Sequence, residues 1–286
     1  MCGGRWRPDR LLMPAASPLT ILKLSNQKTS VNAMSEWPQS VKEVVRELVI
    51  ASRILAREGV VDALGHISVR HPQNAKRYLL SSSRSPELVT EDDIMEFDLD
   101  SNPIDQRGRG IFAERSIHSS VYKARPDVNA VCHNHAHQLI PFAATATPIK
   151  AVWVMGAAIG DEVPIWDIRD DFPTDDGMLI VNNTIGSAMA KRLGACRACL
   201  LAGHGAVVAE ASIRRTVAVA ISLMTNAELL MQSHMLQLMQ ARAVRYLGPG
   251  EAKAMSEVIF SPKALDRMWE YWAARAGFPA GSGRAS

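Results

Sequence analysis

The sequence predicts one α/β domain over residues 36–250. Apolar residues recur at helical spacing near both ends of this range, short β-prone segments follow the first helix, and helix and strand patterns alternate after them. Apolar residues make up 47% of the chain and charged residues 21%, which is enough side-chain material for a buried core. We expect residues 1–35 to be a disordered extension and residues 251–286 to be a C-terminal extension that is helical in part.

The first half of the domain is predicted to be a helix followed by a strand meander. Apolar residues at helical spacing from Val41 to Leu55 predict the helix, and Gly59 ends it. Short β-prone segments separated by turn residues predict three strands, at residues 67–70, 78–81 and 94–98.

The second half alternates between helices and strands. A helical pattern over residues 114–125 ends at Pro126, and a strand follows over residues 128–133. Helix and strand patterns then alternate through residues 178–182, 184–193, 198–201 and 206–209. Ser212 provides the N-cap of a final long helix, which continues at least to Met231.

Composition and charge exclude several classes of function. The formal net charge is +3 and basic residues are interleaved with acidic ones, so nucleic acid is not an expected partner. No apolar run approaches the roughly 18 residues that a membrane span needs, so we expect no membrane partner. Four cysteines in 286 residues are too few for a disulfide framework, which favours a reducing compartment, the cytoplasm.

Two local features have a structural and a functional interpretation. Cys196 and Cys199 form a lone CxxC pair, which we interpret as buried structural thiols because the chain offers no partner ligands for a zinc or redox site. The first 33 residues are rich in basic side chains and are similar to a transit peptide. A disordered tail, or a start codon assigned too early, is the interpretation we favour, since Met34 immediately precedes a well-patterned helix.

Three histidines and one glutamate are the candidate metal ligands. His133 and His135 are separated by one residue on a predicted strand, so both side chains face the same side and can reach one ion. His204 lies between Gly203 and Gly205, and flanking glycines allow a sharp turn that presents an imidazole. Three neutral imidazoles leave an open coordination position, as a catalytic metal needs, and Glu114 is placed to act as fourth ligand or proton carrier.

Together these residues resemble the class II aldolase/adducin family. The resemblance covers about residues 41–241 and rests on the segments 65–70 (GHISVR), 124–127 (ARPD), 133–135 (HNH) and 203–205 (GHG), and on Glu114 followed by His118 and Tyr122. It implies that His133, His135, His204 and Glu114 hold one divalent metal ion per subunit, with Glu114 also acting as the catalytic acid/base. It further implies a three-layer αβα sandwich around a mixed sheet, assembled as a homotetramer with active sites between subunits. The resemblance assigns no metal-binding role to His137, and it implies that His118 and Tyr122 pack the helix that carries Glu114.

The residues that bind phosphate in the sugar-phosphate aldolases of this family are replaced here. His66 stands in place of an asparagine, the Ser81–Pro86 segment (SSSRSP) replaces a Ser-Gly turn, and Phe112-Ala113 replaces a pair of hydroxyl residues. Because a phosphate needs many hydrogen-bond donors, a phosphorylated sugar is a disfavoured substrate.

These departures, together with residues 161–169 (DEVPIWDIR), are similar to a branch of decarboxylases that act on hydroxylated aromatic or pyridine dicarboxylic acids. We therefore expect a small-molecule substrate that contacts His66, Arg84 and Phe112, with Arg84 binding a second carboxylate and Phe112 forming an apolar wall. Two alternatives stay open: a class II aldolase for a non-phosphorylated hydroxy acid or aldehyde, and an adducin-like binding protein without catalysis. Zinc, manganese, iron and cobalt all suit the ligand set.

Overall fold

A computed structural model describes residues 37–173, 177–279 and 281 of the chain. The expectation for residues 1–35 lies outside the described residues. The helices are α1 (Gln39–Arg57), α2 (Ser116–Ala124), α3 (Ile140–Ala144), α4 (Asn183–Leu193), α5 (Ile213–Gln240), α6 (Pro249–Ile259) and α7 (Pro262–Arg275). The strands are β1 (His66–Arg70), β2 (Arg77–Ser81), β3 (Ile94–Asp98), β4 (Ala130–Asn134), β5 (Ile165–Trp166), β6 (Ala198–Leu201) and β7 (Gly205–Glu210).

These strands form a mixed sheet in the order β3-β2-β1-β4-β7-β6-β5. Neighbouring strands are antiparallel, except that β5 runs parallel to β6. Strand β4 lies at the centre, between β1 and β7, so its backbone is paired on both sides. The predicted helix at residues 41–55 and the predicted meander at residues 67–98 are confirmed.

Each face of the sheet is covered by helices, because successive side chains of a strand point to opposite faces. On β4, Cys132 faces a core formed with α1, α5 and α7, while Val131 faces a second core formed with α2 and α4. The predicted three-layer αβα sandwich is therefore confirmed.

The last two helices pack against the first of these cores through Ile259, Trp269 and Ala273, each no more than 2% exposed. Phe260 lies between the guanidinium groups of Arg197 and Arg215, at 4.7 and 3.8 Å from its ring centroid. Helices α6 and α7 thus belong to the packed structure. None of the helices in the part of the chain that the structure describes is both long and apolar enough to cross a membrane.

The structure departs from the sequence patterns in two segments. Residues 178–182 form neither helix nor strand. Their backbone is bound instead by side chains at the start of α2: the Ile180 N–H donates to Glu114 and the Ile180 carbonyl accepts from Ser116. Strand β5 was not predicted, because two residues are too few to show a period.

The two cysteines of the CxxC pair differ in burial. Cys199 is fully buried in the sheet, and burial raises the pKa of its thiol to about 12, as expected for a structural thiol. Cys196 is only half-buried, so the prediction of buried thiols is wrong for Cys196. It follows Gly194, where the chain turns out of α4.

Candidate metal centre

The two histidines of the HxH motif lie at the end of the central strand. His133 is on β4, directly opposite His66 of β1 and Val207 of β7, and His135 follows the last residue of the strand. Their Nε2 atoms are 3.0 Å apart. The two imidazoles therefore meet at one point, as the strand period predicts.

His204 is brought to the same point by the turn between β6 and β7. Gly203 has a φ of +68°, a conformation that side chains other than glycine rarely adopt. A Cβ on Gly205 would lie 2.0 Å from the Asn134 carbonyl oxygen, so only glycine allows β7 to begin this close to the end of β4. Both flanking glycines are thus needed to place the His204 imidazole.

Glu114 closes the cluster from the helical layer. It lies in a turn of 3₁₀-helix (Ala113–Arg115) that precedes α2, with φ −92° and ψ 20°, in the sparsely populated bridge region. Its Oε1 accepts a hydrogen bond of 2.9 Å from the Ile180 N–H. Its Oε2 lies 3.5 Å from His133 Nε2 and 3.4 Å from His204 Nε2. One carboxylate oxygen is thus anchored and the other faces the histidines.

The ligand atoms of His133, His135, His204 and Glu114, which we call the His/Glu cluster, all lie within 4.8 Å of one another. His133 Nδ1 lies 3.1 Å from the Ala206 carbonyl oxygen, and His135 Nδ1 lies 3.0 Å from a carboxylate oxygen of Asp62. These acceptors require a proton on each Nδ1, so in its neutral form each ring presents an unprotonated Nε2 lone pair to the other.

Such lone pairs repel unless a proton or a metal ion lies between them. Burial lowers the pKa of His133, which disfavours the protonated imidazole. Burial alone would raise the pKa of Glu114, but a proton on Nε2 of His133 or His204, or a cation in its place, lowers that pKa below the usual range and keeps the carboxylate ionised. Neutral imidazoles around a buried carboxylate are the donor set of a divalent metal site, and the residues present fit one.

His66 and Phe112 form a wall beside the cluster. Their ring centroids are 4.4 Å apart, and the His66 ring is 5.3 Å from that of His133. Both side chains are buried, with exposures of 4% and 8%. The structure therefore brings these two predicted substrate contacts next to the candidate metal ligands.

The Arg84 guanidinium contacts residues of the loops around it. Its Nε donates to the Leu88 carbonyl at 2.8 Å and lies 3.3 Å from a carboxylate oxygen of Asp93. The preceding Ser83 N–H donates to the Gly110 carbonyl, so the loop that carries Arg84 lies beside the segment that leads to Phe112. His137 is exposed and starts a 3₁₀ turn outside the cluster.

The sequence analysis missed the residues that support these side chains. Asp62 and Ile180 orient His135 and Glu114 from loops, which no pattern in the sequence indicates. Ser68 hydrogen-bonds His118, which in turn hydrogen-bonds His66, whereas we expected His118 only to pack its helix. Ser68 is two residues from His66 on β1, so the strand period was the available signal.

Comparison with known proteins decides the family. A family model described as the Class II Aldolase and Adducin N-terminal domain matches residues 46–231. The chain belongs to this family. The resemblance inferred from the sequence motifs is therefore confirmed.

Decarboxylases are among the sequence relatives. Decarboxylase tropJ of Talaromyces stipitatus is 28% identical over 246 residues, which cover 80% of this chain and 92% of that protein. The 3,4-dihydroxyphthalate decarboxylase of Arthrobacter keyseri is 30% identical over 216 residues, which cover 68% of this chain and 81% of that protein. L-fuculose phosphate aldolases are also among the sequence relatives.

Solved structures show the same fold. The L-fuculose 1-phosphate aldolase from Glaciozyma antarctica PI12 superposes with a TM-score of 0.66 at 20% identity, over 86% of this chain and 95% of that chain. Family membership and these relatives support a lyase that acts on a small molecule.

We expect the purified protein to contain about one divalent ion per chain, and His133→Ala and His204→Ala to lose most of it, because each removes an imidazole ligand. Metal content measured by plasma mass spectrometry checks this. His137→Ala is the matched control, since His137 is an exposed histidine outside the cluster, and it should keep the ion. Full occupancy in both ligand variants would rule out the proposed site.

Proposed function

We propose that the chain is a metal-dependent decarboxylase of a hydroxylated aromatic or heteroaromatic carboxylic or dicarboxylic acid. The observation that carries this proposal is the wall of His66 and Phe112 beside the His/Glu cluster, with ring centroids 4.4 Å apart. Phe112 offers an apolar ring face and Ala113 no side-chain donor, a surface that suits a flat ring better than a phosphate. The two decarboxylases among the relatives support the same choice.

The His/Glu cluster would hold one divalent ion, with zinc, manganese, iron and cobalt all compatible with its ligands. Such an ion supplies Lewis-acid stabilisation of the negative charge that develops on the substrate hydroxyl oxygen. The hydrogen bonds from His133 to Ala206 and from His135 to Asp62 fix the orientation of the two rings.

Glu114 moves the proton. It is ionised at the start, and its Oε2 is available because Oε1 is bound by the Ile180 N–H. We infer that it accepts the proton of the substrate hydroxyl and delivers it to the ring carbon that bears the carboxylate. The bond to the carboxylate then breaks, the electron pair returns to the ring, and carbon dioxide leaves. Solvent returns a proton to the hydroxyl oxygen.

Arg84 is the candidate for binding a second carboxylate. Its side chain is 47% exposed and pairs with Asp93 at 3.3 Å, an interaction weak enough at the surface for a substrate carboxylate to replace. Its loop lies beside the segment that leads to Phe112, which keeps it within the neighbourhood of the wall.

A class II aldolase for a non-phosphorylated hydroxy acid or aldehyde is the second candidate. The observation that favours it is the His/Glu cluster itself, since polarisation of a hydroxyl oxygen and proton transfer by a carboxylate also serve aldol cleavage. The third alternative, a non-catalytic adducin-like binding protein, would not need four ligand atoms that converge on one point, so this cluster argues against it. We further propose, from family membership, a cytoplasmic homotetramer, which light scattering coupled to gel filtration and subcellular fractionation would test.

Release of carbon dioxide from a panel of hydroxy-aromatic mono- and diacids tests the proposal, with Glu114→Gln as the decisive variant. Glutamine keeps an oxygen for the Ile180 N–H but cannot carry a proton, so turnover should fall by roughly 100-fold or more while metal content changes far less. Glu43→Gln, at an exposed position on α1, is the control. Equal loss of metal and turnover would make Glu114 only a ligand. Retro-aldol cleavage with no carbon dioxide from any of these acids would assign the second candidate.

We expect Arg84→Ala to raise the KM for a dicarboxylic aromatic substrate by roughly 10- to 100-fold, because one charge-assisted contact contributes about 1.5–3 kcal/mol. The kcat and the metal content should not change, since Arg84 does not contact the cluster. Steady-state kinetics check this. Arg46→Ala is the control, because Arg46 is similarly exposed and pairs with Glu91 at 3.4 Å. A KM unchanged from wild type would exclude Arg84 from substrate binding.

A further inference from the structure

A continuous chain of buried hydrogen bonds leads from the helical layer to His66. Tyr122 Oη lies 2.7 Å from Ser68 Oγ, and Ser68 Oγ lies 2.6 Å from His118 Nδ1. His118 Nε2 lies 2.7 Å from His66 Nδ1. None of the four residues is more than 4% exposed. We call these residues the Tyr122–His66 chain.

The side-chain hydrogen bonds of the Tyr122–His66 chain favour one order of its protons, and the Val131 backbone carbonyl is a further acceptor beside His118. Each hydroxyl and each neutral imidazole has a single proton to donate, and burial disfavours an imidazolium. Burial lowers the pKa of His118 to about 3, so that ring is neutral near pH 7.

Tyr122 Oη lies 2.7 Å from Ser68 Oγ and also receives a hydrogen bond from the backbone N–H of Val131, which is a donor and offers the hydroxyl no acceptor. A buried hydroxyl proton without an acceptor is unfavourable, so Tyr122 donates to Ser68. Ser68 then gives its own proton to His118 Nδ1, which places the His118 proton on Nε2 and directs it to His66. His66 accepts at Nδ1 and therefore carries its proton on Nε2.

We propose that the Tyr122–His66 chain fixes the tautomer of His66, so that its Nε2–H is a permanent hydrogen-bond donor to a carboxylate oxygen of the substrate. Tyr122, Ser68 and His118 are positioning residues in this proposal, and His66 is the group that touches the substrate. The identity of the substrate rests on the proposed function, whereas the tautomer does not.

His66 is suited to this contact by its place on the sheet. It is paired in register with His133 across β1 and β4, so both rings point to the same face. Its Nδ1 is bound to His118, and Nε2 has no hydrogen-bond partner among the described residues. The free nitrogen is thus the one available to a substrate beside the His/Glu cluster.

The Tyr122–His66 chain fixes the positions of its protons and does not transfer protons to the substrate. If His66 gave up its proton and received another through the Tyr122–His66 chain, Tyr122 would lose its own proton and become a tyrosinate. Burial, which dominates, raises the pKa of Tyr122 far above its usual value, which opposes that ion. His66 is therefore a donor with a fixed proton, and proton transfer is left to Glu114.

Nitrogen-15 NMR of histidine side chains in the full-length, zinc-loaded protein tests the tautomer without any substrate. Two-bond proton–nitrogen correlations distinguish a protonated from an unprotonated ring nitrogen, and a His66→Gln variant assigns the signals. We expect His66 to carry its proton on Nε2. A proton on Nδ1 would overturn the proposal.

Tyr122→Phe tests the origin of the order, because it removes one oxygen and keeps the ring. Without the terminal donor, Ser68 and His118 can order in either direction, so His66 should show both tautomers. Tyr78→Phe is the matched control, because Tyr78 is also fully buried and its ring centroid lies 5.6 Å from that of Tyr122. The Tyr78 hydroxyl donates to the Arg115 carbonyl, which is not part of the Tyr122–His66 chain. This control should leave His66 unchanged. Identical spectra for the two variants would overturn the role of Tyr122, and Ser68→Ala provides the same test if Tyr122→Phe is unstable.

Kinetics separate this inference from the proposed function. With an acid that the enzyme decarboxylates, Tyr122→Phe should raise KM by roughly 2- to 10-fold, the loss expected for one weakened hydrogen bond, with kcat nearly unchanged. Tyr78→Phe should stay within about twofold of wild type. If no acid is decarboxylated, the proposed function fails, while the NMR result still decides the tautomer. An unchanged KM in Tyr122→Phe, alongside measurable decarboxylation, would overturn the contact with substrate.

Discussion

The site depends on one electrostatic constraint, which is that the Nε2 lone pairs of His133 and His135 face each other at 3.0 Å. Each ring has its Nδ1 proton committed to a fixed acceptor, the Ala206 carbonyl or the Asp62 carboxylate. Neither ring can turn its proton inward without losing that hydrogen bond. His133 lies on a central strand that is paired on both sides, and His135 follows the last residue of that strand. The fold therefore maintains a geometry that a divalent cation stabilises and that is repulsive without one.

Glu114 and the wall of His66 and Phe112 are the two features that make this candidate metal site a candidate reaction site. Glu114 contributes a carboxylate whose Oε1 is bound by Ile180 and whose Oε2 faces the histidines, so the proposed ligation and proton transfer would both use Oε2. Phe112 and His66 contribute a wall with an apolar ring beside an ordered imidazole. This wall lies beside the polar ligands, and it is the feature on which the proposed preference for a flat acid over a phosphorylated sugar rests.

Local patterns predicted much of the fold, and tertiary contacts explain the rest. Strand period alone predicted that His133 and His135 face the same way, and glycines predicted the turn that carries His204. The binding of Ile180 to Glu114 could not be predicted, because it joins two segments 66 residues apart through one loop amide. The pairing of Arg84 with Asp93 was not predicted either, because no periodicity encodes a contact between two loops, and substrate binding by Arg84 stays a prediction.

X-ray absorption spectroscopy of the zinc-loaded, full-length protein tests the central claim most directly, because it reports the ligands of the bound ion. The account predicts a first shell of nitrogen and oxygen at about 2.0–2.2 Å, with the outer-shell scattering of three imidazoles. The His133→Ala variant should lose the signal of one imidazole or bind no ion. Sulfur ligands, or a shell of oxygen without imidazole scattering, would contradict the account, because zinc would then be bound elsewhere in the chain.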